Sequence, residues 1–124
     1  MERDNLKEEV VIVNGAPNSV FENGNCNEFI EPKFTKYVNK RWNAKQPIIR
    51  EPQYVAIHVT GTNSIRVIIE IDYHNSNLKE GIIVPLGDPI SVYIPIKRFG
   101  ENKLQGIKYT TFRKLITHES ANDL

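Results

Sequence analysis

Cysteine, tryptophan and methionine each occur only once in this chain of 124 residues. With Cys26 alone, no disulfide can close within the chain and no thiol cluster can hold zinc, so the residue reads as a small side chain in a reducing compartment. No apolar run approaches the roughly 18 residues that a membrane-spanning helix needs. The opening segment, MERDNLKEE, is charged and has no signal-peptide apolar region, so the cytoplasm is the expected location. Phosphate-cradling loops are missing as well, because neither Gly-x-Gly-x-x-Gly nor Gly-x-x-x-x-Gly-Lys-Ser/Thr occurs. His58, His74 and His118 fall in separate segments and match no spaced ligand motif. Glu70 and Asp72, two apart on one strand, share a face and suit a divalent cation, yet no lysine completes the Glu-x-Lys arrangement of a restriction-type nuclease. Two solvated carboxylates are the simpler reading. No catalytic residue, metal site or cofactor is assigned, and the chain is expected not to be an enzyme.

What the chain does hold suits one small domain over residues 9–124, preceded by a loose polar lead at 1–8. The net charge of +1 conceals an uneven distribution. Lys33, Lys36, Lys40, Arg41, Lys45 and Arg50 occupy residues 32–50 with no acid among them. Lys97, Arg98, Lys103, Lys108, Arg113 and Lys114 face only Glu101 over residues 97–114. Acids gather in the first nine positions and around 70–88. One basic face is the expectation, and nucleic acid its natural partner.

Short β-branched runs dominate the pattern. Glu9-Val-Val-Ile-Val13 reads as a buried strand stopped by Asn14-Gly-Ala-Pro-Asn18. Asn23-Gly24-Asn25 is a turn. Phe34, Tyr37, Val38 and Arg41-Trp42 recur at spacings of three and four after Pro32, which predicts an amphipathic helix of about three turns. Residues 53–60 and 65–72 alternate as two strands of a hairpin around Gly61-Thr-Asn-Ser64. If Val55, Ile57 and Val59 share a face with Ile65, Val67, Ile69 and Ile71, the loop holds three or five residues. Ile82-Ile-Val84 is a short apolar run, Ile90-Ser-Val-Tyr-Ile94 a strand ending at Pro95, and residues 97–107 a basic exposed loop. Phe112–Ile116 reads as a short helix capped by Thr110 or Thr111, with Phe112, Leu115 and Ile116 inward. Ser120–Leu124 resembles the start of a further helix, which suggests a domain normally joined to something longer. Five or six short strands with two short helices point to a mainly β, α+β fold, an open or closed small β-barrel with the helices plugging its ends.

Aromatic residues interleave with the basic segments. Base stacking on rings while Lys and Arg track phosphates is how small β-domains hold single-stranded or flipped nucleotides. Trp42, directly after Lys40-Arg41, is the most prominent candidate.

The order of these segments resembles the PUA-like superfamily, in particular the EVE/ASCH-like branch found as specificity modules in modification-dependent restriction systems. The resemblance rests on Asn14-Gly-Ala-Pro-Asn18 after the first strand, the Trp42 segment, the hairpin Pro52-Gln-Tyr-Val-Ala-Ile-His58 to Ile65-Arg-Val-Ile-Ile-Glu-Ile71, and Gly106-Ile-Lys-Tyr-Thr-Thr-Phe-Arg-Lys-Leu115. It implies a pseudo-β-barrel whose cleft reads a modified, flipped base in DNA, DNA being favoured over RNA, with an attached nuclease or NTPase subunit. Carried over by position, the base pocket comprises Asn14, Ala16, Trp42, His58, Thr60, Asn63 and Arg66. Phosphate contacts fall to Lys40, Arg41, Lys45, Lys97, Arg98, Lys103 and Lys108. His58 stands where an aromatic residue is usual, and Gly-Thr-Asn-Ser replaces a turn containing proline. An RNA-binding PUA-like domain and a protein-interaction adaptor are the competing readings.

Overall fold

The computed structural model describes residues 9–27, 29–62, 64–95 and 107–116. In chain order the elements are β1 (Glu9–Gly15), α1 (Pro17–Val20), α2 (Lys36–Asn39), β2 (Trp42–Asn43), β3 (Tyr54–Val59), β4 (Ser64–Glu70), β5 (Ile82–Ile83), β6 (Ile90–Pro95), β7 (Lys108–Thr111) and α3 (Phe112–Ile116). Five strands form one mixed sheet in the order β6-β4-β3-β1-β7. β1 and β3 are parallel neighbours, from Val10 opposite Tyr54 to Gly15 opposite Val59, and the other contacts are antiparallel. Joining parallel neighbours demands a long crossover. Residues 16–53 supply it and carry α1, α2 and β2.

The crossover covers one face of the sheet. There Val11, Val13, Val55, Ile57, Val59, Val67 and Ile69 pack with Val20, Phe21, Val38, Trp42, Ile48 and Ile83. On the other face Val10, Ile12, Ala56, Ile65, Ile68 and Ile94 pack with Leu115 of α3. Burial on both faces explains why β1 and β4 read as near-continuous apolar runs.

The mainly β composition agrees with expectation, but the barrel does not. β6 and β7 stand at opposite edges and do not pair with each other among the described residues, so the sheet is open. A barrel buries one face of each strand by closure. Here each face finds its own cover, and closure is not needed.

The predicted three-turn helix is also absent. α2 is a single turn, and its regular continuation fails as the Asn39 side chain donates to the carbonyls of Phe34 and Thr35, at 3.0 and 3.1 Å. Lys40 leaves helical geometry at φ −123°. Phe34 then stacks on Phe21 at 5.6 Å, Val38 enters the core, and Trp42 pairs with Ile83 in the β2–β5 ladder. The spacing of three and four is thus met by separate elements facing one core.

Within the β3–β4 hairpin, Val55 faces Ile69 and Ile57 faces Val67, the expected parity. Between Ile57 and His58 the register slips at Arg66, so Val59 faces Ser64 and residues 60–63 make a four-residue loop in place of three or five. A bulge of this kind changes which way neighbouring side chains point. Ile65 accordingly leaves the face of Val67 and Ile69 and joins Leu115 on the other side. At the far end, Thr111 Oγ1 accepts the Lys114 N–H at 3.2 Å, capping α3 as its sequence predicts. The described parts of α3 place Leu115 in the core with Phe112 packed beside it.

Candidate functional site

Where β1 ends, the crossover encloses a cavity of about 420 Å³, lined by Asn14, Gly15, Ala16, Ser19, Tyr37, Trp42, Asn43, Ala44 and Lys45. Gly15 is its floor. A Cβ there would lie 2.7 Å from Trp42 Cη2 and 2.9 Å from Ile57 Cγ2, so only glycine lets the indole lie flat on the strand. Trp42 is 4% exposed and is core as much as wall. Its Nε1 is buried with no hydrogen-bond partner among the described residues.

The rim is polar and cationic. Lys45 sits at φ +61°, held there as its N–H donates to Asn43 Oδ1 at 2.8 Å. This spends the amide oxygen of Asn43 and leaves its amide nitrogen as a donor. The Ala44 N–H donates to the Gly81 carbonyl at 2.8 Å, which ties the Asn43–Lys45 turn to the β5 segment. Gly81 has φ +75°, and a Cβ on it would meet the Gln46 carbonyl at 2.5 Å. Tyr37 is 51% exposed with Lys36 Nζ 5.6 Å from its ring centroid, and Lys40 and Arg41 are exposed beside it. An accessible ring, an amide, a hydroxyl and the Lys45 cation therefore border one cavity, and Lys36, Lys40 and Arg41 are exposed on the same segment of chain.

Of the residues assigned to the pocket from sequence, Asn14, Ala16 and Trp42 line this cavity together with Lys45. His58 does not. It follows Ala56 on the alternate side of β3, opposite the face that carries Ile57, Val59 and Trp42. There it is 3% exposed, its Nδ1 lies 2.8 Å from Asn14 Oδ1, and burial holds its pKa below the ordinary 6.5. Arg66 is also removed from the cavity. As the bulged residue it is buried between the rings of Phe21 and Tyr93, 5.1 and 5.4 Å from their centroids, with Nη1 donating to the Cys26 carbonyl at 2.6 Å. Thr60 is exposed at the hairpin end, where its N–H donates to the Gly15 carbonyl at 3.0 Å, and it is not a lining residue.

Among the cations, Lys40 and Arg41 lie on the cavity's own segment. Lys108 pairs with Ile12 and shares the opposite face of the sheet. Asn63, Lys97, Arg98 and Lys103 lie outside the described residues. Tyr37, Asn43 and Ser19 complete the site without having been singled out for it. Tyr37 belongs to the apolar stripe of the three-turn helix that the spacing predicts, and the single turn of α2 leaves it exposed. The polar Asn-Ala-Lys between Trp42 and Pro47 is the signal that marks the rim.

Asp72 accepts from the His74 N–H at 3.1 Å and the Asn75 side chain at 2.8 Å, and these bonds lower its pKa. Its carboxylate is committed to a turn. Among the described residues no three of His, Cys, Asp and Glu converge as a metal-binding group, and no helix is long and apolar enough to cross a membrane. Comparison of the chain with protein-family models, curated proteins and solved structures returns no match.

Proposed function

We infer that the cavity at the end of β1 holds a nucleobase, and that the chain is a non-catalytic nucleic-acid-binding module. The observation that carries this reading is the convergence of an accessible Tyr37 ring, the Asn43 amide and Lys45 on one cavity of about 420 Å³. A base laid on Tyr37 gains stacking energy of about 1–3 kcal/mol. With its oxygen taken by the Lys45 N–H, the Asn43 amide offers its nitrogen as a donor to an acceptor on a base edge. Lys36, Lys40, Arg41 and Lys45 are exposed along the same segment, suitably placed for a phosphate backbone. The ligand is a single-stranded or extruded nucleotide, since a stacked base cannot enter a cavity.

The resemblance to EVE/ASCH-like modules points in the same direction and favours a modified base in DNA over RNA. The open sheet means that any kinship with that superfamily lies in the β1 turn and the Trp42 segment, not in barrel closure.

Fluorescence anisotropy tests the reading. The probes are a single-stranded oligonucleotide, its RNA equivalent, and duplexes bearing methylcytosine, hydroxymethylcytosine, methyladenine or no modification, each at two salt concentrations. Affinity should fall steeply with salt. Tyr37→Ala should weaken binding about tenfold or more, and Lys45→Glu should reduce the salt slope by about one. Tyr37 is the better probe than Trp42, whose truncation would hollow the core. Absence of binding to every oligonucleotide, or binding indifferent to salt and to Tyr37→Ala, removes the nucleic-acid reading and leaves the adaptor.

A further inference from the structure

Between Phe21 and Phe34 the crossover makes an excursion whose two roots stack on each other and whose base is closed by the Glu22 N–H donating to the Lys33 carbonyl at 2.9 Å. Its tip is apolar. Phe29 is 88% exposed and Ile30 51%, and in the sequence this pair stands between Glu28 and Glu31. The tip is already shaped for contact. Arg66 holds the Cys26 carbonyl, Asn25 Oδ1 accepts the Asn27 N–H at 3.0 Å, and Asn27 Oδ1 accepts the Phe29 N–H at 2.9 Å. A preformed tip loses little freedom when it docks.

An acid-flanked phenylalanine calls for an aromatic cavity with a cationic rim. The cavity at the end of β1 is such a receptor, with Trp42, Tyr37 and Ala44 on its walls and Lys45 at its edge. The tip does not fill the cavity of its own chain, because Phe29 stands in solvent. We propose that this chain associates with a second copy of itself, the Phe29 tip of one protomer entering the β1 cavity of the other with Glu31 against Lys45 and its cationic neighbours. Charge complementarity selects this occupant. Two acids flank Phe29-Ile30 in the sequence, and residues 33–50 hold six cations and no acid.

The self-association stands without the nucleic-acid reading. Joined to it, the two occupants of one cavity exclude each other, and an oligonucleotide bound at Tyr37 dissociates the assembly.

Sedimentation velocity of the full chain from about 10 μM to about 1 mM, a range suited to a small interface, reads the association directly. The wild type should shift from monomer to a larger species as concentration rises. Phe29→Ala, at an exposed position that leaves the fold intact, should weaken the association at least tenfold. Lys45→Glu should do the same. The double exchange Glu31→Lys with Lys45→Glu should restore a good part of it, which a fold defect would not allow. A wild type that stays monomeric throughout overturns the proposal and assigns the tip to a different partner. Association that survives both Phe29→Ala and Lys45→Glu also overturns it and moves the contact elsewhere, with the uncharged edge strand β6 next in line.

Discussion

Arg66 Nη1 donates to the carbonyl of Cys26, forty positions earlier in the chain, at 2.6 Å. A buried guanidinium with no carboxylate partner among the described residues is an uncommon anchor. Its charge is met by two ring faces and a carbonyl, while Nε has no partner among the described residues. Removing a hydrogen bond to a charged donor costs about 1.5–3 kcal/mol, partly offset because an imperfectly paired charge leaves the core. Arg66→Met, which keeps the length of the stem, should therefore lower stability by only about 1–2 kcal/mol in urea denaturation. The excursion it holds should become much more sensitive to limited proteolysis near residues 25–33. A stability loss without new cleavage there would mean that the arginine supports the core and not the loop.

Gly15 and Trp42 make a sharper steric case. Gly15→Ala drives a methyl group to within 2.9 Å of both the indole and Ile57, where nothing yields without moving the β2 ladder. Overpacking of this kind costs about 1–3 kcal/mol. Trp42→Phe removes the outer ring that the methyl meets, so the double variant Gly15→Ala with Trp42→Phe should lose less than the two single losses added together. The expected coupling is about 1 kcal/mol or more, measured by a double-mutant cycle in urea. Strict additivity would show that the contact is not tight.

Much of the fold is legible in the sequence where structure is local. The β-branched runs at Glu9–Val13, Tyr54–Val59 and Ile90–Ile94, the Asn23-Gly24 turn with both residues at positive φ, and the Thr111 cap can each be read within a few residues. Non-local features are not legible. Parallel pairing of β1 with β3 is set by what the crossover covers, and nothing within either strand announces it. Nor does periodicity distinguish one helix from short separate elements that share a core, and Tyr37 fits the spacing while its ring stays exposed. The bulge at Arg66 defeats a parity argument because one extra residue changes the face of Ile65. At the cavity, Asn14 at the end of β1 meets Ala16, Trp42 and Lys45 of the crossover that follows it, residues near one another in sequence. His58 and Arg66 of the hairpin do not line it, since one pairs with Asn14 and the other lies against Phe21 and Tyr93.

Tyr73 offers a test on the opposite side of the pH scale. Its hydroxyl donates to the Pro52 carbonyl, and burial together with the negative charges of Glu51 and Glu9 pushes its pKa up to about 12. The folded value lies above the unfolded value of about 10, so the native state holds this proton longer. The corresponding stability is present below pH 10 and is lost as pH rises toward 12. Tyr73→Phe should cost about 0.5–1.5 kcal/mol at neutral pH through the lost hydrogen bond. It should also remove the latest-ionising component from the ultraviolet titration of the folded protein. Survival of that component in the variant would assign the raised pKa to another tyrosine.

The Asn14–His58 pair, side by side on parallel strands at 2.8 Å, governs the acid side. Asn14 Oδ1 only accepts, so Nδ1 of the neutral ring carries the proton it donates. Burial holds the folded pKa of His58 below the unfolded value of 6.5, which means that the unfolded chain takes up this proton first as pH falls. Stability is then greatest above pH 6.5 and declines as pH drops below it toward the folded pKa, at no more than about 1.4 kcal/mol per pH unit for one group. His58→Gln keeps a donor for Asn14 and cannot titrate, and it should flatten the difference between urea midpoints measured at pH 7.5 and pH 5.5. Because Asn14 also lines the β1 cavity, ligand affinity in the wild type should weaken over the same pH interval and become pH-independent in His58→Gln. If the two proteins show the same acid sensitivity in both measurements, His58 is not the group responsible, and the link from the buried histidine to the cavity is broken.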